Sequence, residues 1–208
     1  MPQKLAVLAS GGGTNLQAIL DAIAEGRLDS EVVLVASNRE GAGALDRARN
    51  SGVRAEWVQP GDDYNDLLLA LLEEVEPDLV VLAGYLKLIS VEMVRRFTGA
   101  MLNIHPALLP AFGGKGMYGI HVHEAVLERG VRVTGVTVHV VDEEYDRGPI
   151  VAQIPVPVLE GDTPERLQKR VLVQEHRLYA AVLQWFAEGR VKLDGRRVTL
   201  LPTSPDTA

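Results

Sequence analysis

Asn103-Ile104-His105-Pro106 closes an apolar run, residues 100–104, that reads as a buried strand. Side chains two apart on a strand face the same way, so Asn103 and His105 aim into one small volume if the strand ends at a cleft. An amide and an imidazole placed so can stabilise a developing oxyanion and move a proton; equally, they can be a capped strand end with a hydrogen-bonded histidine. A second chemical stretch is Ser10-Gly11-Gly12-Gly13-Thr14-Asn15. It lies between a short apolar run, residues 5–8, and apolar residues at helical spacing, Leu16, Ile19, Leu20 and Ile23. Glycines such as Gly12 and Gly13 allow close backbone approach, and a helix N-terminus offers free N–H groups and a positive dipole end. Thr14 and Asn15 can cap that helix or donate to a phosphate. The stretch is an anion cradle or a tight strand-to-helix turn. It is not a dinucleotide fingerprint, because Leu16 occupies the last glycine position, nor a P-loop, because no Gly-Lys-Ser/Thr follows. A third stretch is acidic, Asp142 to Asp146 and on to Arg147-Gly148-Pro149, between two β-rich runs at 131–141 and 150–158. Acids in such a loop are usually only solvated.

These stretches need elements to hold them. Short apolar runs at 5–8, 32–36, 55–58 and 79–83 read as strands, and patterns at 16–23, 42–50 and 64–75 as helices. Strand and helix alternate at βαβ spacing. The fold class expected is α/β: an open, mostly parallel twisted sheet, Rossmann-like, with helices on both faces and antiparallel strands in the C-terminal half. Ligands of such sheets bind at the carboxyl ends of strands. Gly11 to Asn15, Tyr85 to Ile89 and Asn103 to His105 all fall at such ends.

After His105, Pro106, Pro110 and the glycine-rich residues 113–119 mark a loop whose one basic residue, Lys115, is either solvated or an anion contact. A short helix is expected at 122–128 and a long one at 165–188, with Thr163 as N-cap and Pro164 at its first position. Asp194-Gly195 signals a hairpin between 191–193 and 198–201, and the tail from 202 to 208 has no apolar pattern. The chain reads as one domain, 1–208. Residues 1–100 form its phosphate-binding half, 101–190 its catalytic half and 191–208 the hairpin and tail.

Composition narrows the partners. The 208 residues are 47% hydrophobic and 24% charged, ordinary for a globular chain. No cysteine is present, which excludes disulfides and thiolate metal sites and fits a reducing compartment. The net charge of −7 argues against nucleic acid held by bulk electrostatics. No signal-peptide pattern or membrane-length apolar run is found, so a cytoplasmic location with no membrane partner is expected. No ligand cluster for a metal is evident. Oligomeric state stays open between monomer and homodimer.

Several motifs, taken in order, resemble the phosphoribosylglycinamide formyltransferase family. The segment Ser10 to Ile19 is similar to its phosphate loop, and Leu82-Ala83-Gly84-Tyr85-Leu86-Lys87-Leu88-Ile89 to its folate-binding segment. Asn103 to Pro110 resembles its active-site strand. His139, with Asp146 seven residues on and Gly148 after it, looks like its signature, and Gln174-Glu175-His176 like its late helix motif. The match covers nearly the whole chain, and its specificity lies in the ordered set. The resemblance implies the formyltransferase variant of the Rossmann-like fold. It implies transfer of a formyl group from 10-formyltetrahydrofolate, as co-substrate, to the amino group of glycinamide ribonucleotide. That is a step of de novo purine biosynthesis, and it needs no metal. It implies Asn103, His105 and Asp146 as catalytic residues. Gly12, Gly13, Thr14 and Asn15 would hold the phosphate and Glu175 the ribose. Leu86, Lys87, Leu88, Ile89, Asn103, Asp142 and Asp146 would bind the folate. Asp146 would raise the pKa of His105 by attraction, and His139, on a β-branched strand, would be structural support.

Two features depart from the family. The basic residue often found near Gly61-Asp62-Asp63 is absent, and Gly113 stands where proline is common, which should loosen the loop. Rival readings are a methionyl-tRNA formyltransferase, which usually carries a C-terminal RNA-binding domain, and a formyltetrahydrofolate deformylase, which usually carries an N-terminal regulatory domain. A different class of rival is a non-catalytic nucleotide-binding module using the glycine cradle alone.

Overall fold

The computed structural model of the chain describes residues 1–203. Five strands run parallel: β1 (Gln3–Leu8), β2 (Ser30–Ser37), β3 (Ala55–Trp57), β4 (Leu79–Leu82) and β5 (Met101–His105). Two more, β6 (Val133–Val140) and β7 (Ile150–Pro157), add antiparallel to β5 and to each other. Together they form one sheet in the order β3-β2-β1-β4-β5-β6-β7. The chain winds outward from β1 through β2 to β3, returns to the other side of β1 and continues through β4. The crevice outside the carboxyl ends of β1 and β4 is therefore the topological switch point, where open α/β sheets bind ligands.

Both faces of the sheet are covered, which is why its central strands are apolar without alternation. On one face Leu5, Val7, Val81 and Leu102 pack against α1 (Thr14–Ala24), α2 (Gly43–Asn50), α5 (Ile120–Glu128) and α6 (Pro164–Ala187). On the other, Ala6, Leu8, Val80 and Met101 pack against α3 (Tyr64–Val75) and α4 (Val91–Arg96). Helix α6 begins as its sequence indicates: the Thr163 hydroxyl accepts from the Arg166 N–H at 3.3 Å, with Pro164 in the first turn. Its buried stripe runs Leu167, Val171, Glu175, Leu178, Tyr179 and Val182. Glu175 is the one carboxylate in that stripe.

Some boundaries differ from those expected. Helix α4 was not expected; at six residues it is too short to show a period, and its signal is the Ser90 cap, which accepts from the Met93 N–H at 3.2 Å. Strand β6 starts at Val133 rather than 131, and β3 ends at Trp57. The C-terminal hairpin, β8 (Val191–Asp194) and β9 (Arg197–Leu200), forms its own two-stranded sheet turning at Gly195, where φ is 56°. Of the tail expected to lack regular structure, residues 204–208 lie outside the described residues.

Candidate active site

The antiparallel ladder between β5 and β6 sets Asn103 opposite His139 and His105 opposite Thr137. Asn103 Nδ2 lies 3.1 Å from His139 Nε2, and His139 Nδ1 lies 3.1 Å from the Val140 carbonyl. A carbonyl only accepts, so Nδ1 carries the hydrogen and Nε2 accepts from Asn103. That orients the Asn103 amide and leaves its second N–H for a ligand. His105 Nε2 donates to the Phe112 carbonyl at 2.8 Å, which turns its Nδ1 toward Asp146 Oδ2, 3.7 Å away. Asp146 Oδ1 sits 3.7 Å from His139 Nε2, and Asp146 Oδ2 accepts from the Gly114 N–H at 2.8 Å. Asp146, far along the chain, thus meets the strand pair at His105, and His139 supports the cluster by orienting Asn103.

Burial lowers the pKa of His105 below the usual imidazole value, more than the attraction of Asp146 and the Phe112 hydrogen bond raise it. The rise expected from Asp146 is therefore outweighed, and the resting imidazole is neutral. His139 is lowered too, again first by burial.

Two cavities share this cluster as a wall. The first, about 310 Å³, is lined by Thr14, Asn15, His105, His123 and Glu175 among others. The second, about 100 Å³, is lined by Lys87, Leu88, Ile89, His139 and Asp142 among others. Tyr85, Asn103, Tyr145 and Asp146 border both.

Of the glycine-cradle stretch, Thr14 and Asn15 line the first cavity and Gly11, Gly12 and Gly13 do not. Gly13 caps α1 with φ at 72°, and a Cβ there would lie 2.7 Å from the Ala44 Cα, so only glycine lets α2 pack so close. The Gly12 carbonyl accepts from Arg47 Nε at 2.7 Å. Thr14 is exposed at the cavity edge. Asn15 does not cap the helix; its Nδ2 donates to Glu175 Oε2 at 2.8 Å and ties α1 to α6, while its buried Oδ1 has no partner. Burial raises the pKa of Glu175, with the Asn15 hydrogen bond opposing.

On the donor side the folate segment divides. Leu86 faces the first cavity, whereas Lys87, Leu88 and Ile89 line the second. The Lys87 ammonium stands 4.4 Å above the Tyr64 ring, and the Tyr64 and Tyr85 hydroxyls hydrogen-bond beneath it. Asp142 accepts from the Glu144 N–H at 3.0 Å and lies 3.8 Å from Arg196. Lys115 is exposed and lines neither cavity. Among the described residues no group of three or more His, Cys, Asp or Glu side chains could hold a metal ion.

Sequence reading passed over the supports. Ser10 donates to Asn38 at 2.6 Å and accepts the Leu86 N–H at 2.8 Å, joining the loops after β1 and β4. Thr137, fully buried, donates to the Ala107 carbonyl at 2.6 Å and accepts the Leu109 N–H at 3.0 Å, pinning the turn after His105. The only signal for Thr137 was a hydroxyl in a β-branched strand, and Thr134 in the same strand carries one too.

A doubly wound sheet whose switch-point crevice holds two cavities sharing Asn103 and Asp146, with His105 on one side, fits an α/β enzyme that brings two substrates together. The formyl transferase family model matches residues 3–183, and the chain belongs to that family. It is 48% identical over 196 residues to the chloroplastic phosphoribosylglycinamide formyltransferase of Arabidopsis thaliana, covering 91% of this chain and 67% of that one. It is 39% identical over 206 residues to the phosphoribosylglycinamide formyltransferase of Escherichia coli, covering 93% and 95%. Among solved structures, glycinamide ribonucleotide transformylase 1 of Symbiobacterium toebii superposes with a TM-score of 0.91 at 45% identity, covering 97% of this chain and 95% of that one.

Proposed function

We propose that the chain transfers the formyl group of 10-formyltetrahydrofolate to the amino group of glycinamide ribonucleotide in de novo purine biosynthesis. The observation that carries this reading is the shared wall: Asn103 and Asp146 border both cavities, so two substrates can meet over them. The ribonucleotide would occupy the first cavity, its phosphate at Gly12, Gly13, Thr14 and Asn15 and its ribose at Glu175. The pterin would occupy the second, against Lys87, Leu88, Ile89 and Asp142, with Leu86 at the junction. The phosphate-binding half, 1–100, and the catalytic half, 101–190, would then act as one domain. No helix of the described residues is long and apolar enough to cross a membrane.

In the chemistry proposed, the neutral amine attacks the formyl carbon and forms a C–N bond, and the carbonyl oxygen becomes an oxyanion. The free Asn103 N–H donates to that oxygen, worth on the order of 3 kcal/mol. The C–N bond to the folate then breaks. The attacking nitrogen gives up one proton and the leaving nitrogen gains one. A neutral His105 can take the first and return it, with Asp146 stabilising the imidazolium that forms. Such proton transfer contributes roughly 100- to 10,000-fold.

The test is an incubation with 10-formyltetrahydrofolate, with and without glycinamide ribonucleotide. Formylated ribonucleotide appearing with acceptor-dependent folate release is the expected result. Folate release that ignores the acceptor would mark a deformylase. Nucleotide binding without turnover would mark a binding module. Either would overturn the reading.

A further inference from the structure

Helix α2 grips the glycine loop from behind. The Gly11 carbonyl accepts the Ala44 N–H at 3.1 Å, and the Gly12 carbonyl accepts from Arg47 Nε at 2.7 Å. The C=O of a trans peptide and the N–H that follows it point in opposite directions, and both of these peptides are trans. With their carbonyls turned toward α2, the N–H groups of Gly12 and Gly13 point away from it. Among the described residues nothing accepts from either N–H, nor from those of Thr14 and Asn15 at the start of α1. Gly12 and Thr14 are exposed, so these donors stand at the rim of the first cavity.

Arg47 also carries a charge that no carboxylate meets. Half-buried, it donates from Nη1 to Gln17 Oε1 at 2.9 Å, a second neutral acceptor. Its neighbour Asp46 pairs with Arg49 at 3.1 Å instead. The first cavity is lined by Asp146 and Glu175 and by no Lys or Arg. A phosphate dianion held beside Thr14 therefore depends on positive charge from behind the cavity wall.

We propose that Arg47 is a positioning residue for the acceptor's phosphate and sets the preference for a phosphate monoester. It fixes the Gly12–Gly13 peptide with its N–H turned outward and places an unneutralised cation behind it. The proposal rests on the function proposed above. Arg47 acts through the backbone: a carbonyl bound to a cation polarises its peptide and strengthens the N–H on the other side as a donor.

The experiment compares Arg47→Gln and Arg47→Lys with the unaltered chain, read as kcat and KM for each substrate. Arg47→Gln removes the charge. It is expected to raise the ribonucleotide KM about tenfold, with kcat and the donor KM within about twofold, the pattern of a lost binding interaction. Arg47→Lys keeps the charge and should hold the ribonucleotide KM within about threefold of the unaltered value. Rising ionic strength should raise the ribonucleotide KM of the unaltered chain more than that of Arg47→Gln. An unmoved ribonucleotide KM in Arg47→Gln, an equal rise in both KM values, or Arg47→Lys as impaired as Arg47→Gln would overturn the proposal. A second measurement needs no turnover. Ribose 5-phosphate followed by phosphorus NMR should bind the unaltered chain about tenfold more tightly than Arg47→Gln. Equal affinities would overturn the assignment of Arg47. A chain that fails to formylate the ribonucleotide, yet loses ribose 5-phosphate affinity in Arg47→Gln, would defeat the function proposed above and leave the phosphate assignment standing.

Discussion

His105 is a neutral imidazole fixed between the Phe112 carbonyl and the Asp146 carboxylate, and in the chemistry proposed its protonation would govern the acid side of the activity profile. Burial lowers its pKa, so the acidic limb of kcat/KM should have its midpoint below pH 6.5. Asp146 partly offsets that burial. Asp146→Asn should therefore move the midpoint to still lower pH while kcat falls roughly 100- to 10,000-fold; a midpoint that moves up would show another group is titrating. Glu175 presents the opposite sign. Its folded pKa is raised, so the stability it contributes is present at low pH and lost as pH rises through that value. Glu175→Gln keeps the hydrogen-bonding shape but removes the ionisation that burial opposes. At pH 8 its Tm should lie above that of the unaltered chain, with the ribonucleotide KM raised about tenfold through loss of an acceptor oxygen. A lower Tm in calorimetry would mean the charge is better compensated than its surroundings indicate.

Helix α6 is the element that braces the site. Glu175 faces Asn15 on α1, and one turn later Tyr179 reaches back to the sheet. The Tyr179 hydroxyl lies 3.0 Å from the carbonyls of both Leu82 and Leu102, and the residue is 1% exposed. Strands β4 and β5, which lead into Tyr85–Ile89 and carry the Asn103–His105 pair, are thus bridged by one phenol. Tyr179→Phe removes the single phenolic hydrogen that these two carbonyls share. It should destabilise the chain by about 1–3 kcal/mol in chemical denaturation, with the denaturant slope unchanged. An effect within about 0.5 kcal/mol would mean another donor replaces the hydroxyl. The helix itself was readable from its cap and its apolar period. Its bracing role was not, because a tyrosine in an apolar stripe looks like any other core residue until its hydroxyl has a partner.

Across the whole molecule, three buried imidazoles, His105, His123 and His139, make the fold acid-sensitive. Burial lowers all three, His123 to about 4. Above pH 6.5 each is neutral in both folded and unfolded chains and pH has no effect through them. As pH falls from 6.5 toward 4 the unfolded chain binds protons that the folded chain refuses, so stability drops. For His123 alone, which is 1% exposed, the interval corresponds to roughly 3 kcal/mol. His123→Asn should flatten the fall of Tm between pH 6.5 and 4, and a slope equal to that of the unaltered chain would remove His123 as a cause.

The apolar runs and their alternation with helices specify a mostly parallel sheet. The capped helix starts and the Asp-Gly hairpin are equally local, because periodicity, capping and turn chemistry are properties of neighbours in sequence. Asn103 and His105 were legible as a pair for the same reason, since a strand fixes which residues share a face. What joins them to Asp146, Asn15 to Glu175 and Gly114 to Asp146 is contact across tens of residues. The β5–β6 register and the packing of loops against each other decide it, and no local pattern encodes them. The same holds for the pKa of His105: the sequence supplies the attracting carboxylate, but only the folded surroundings reveal that desolvation outweighs it.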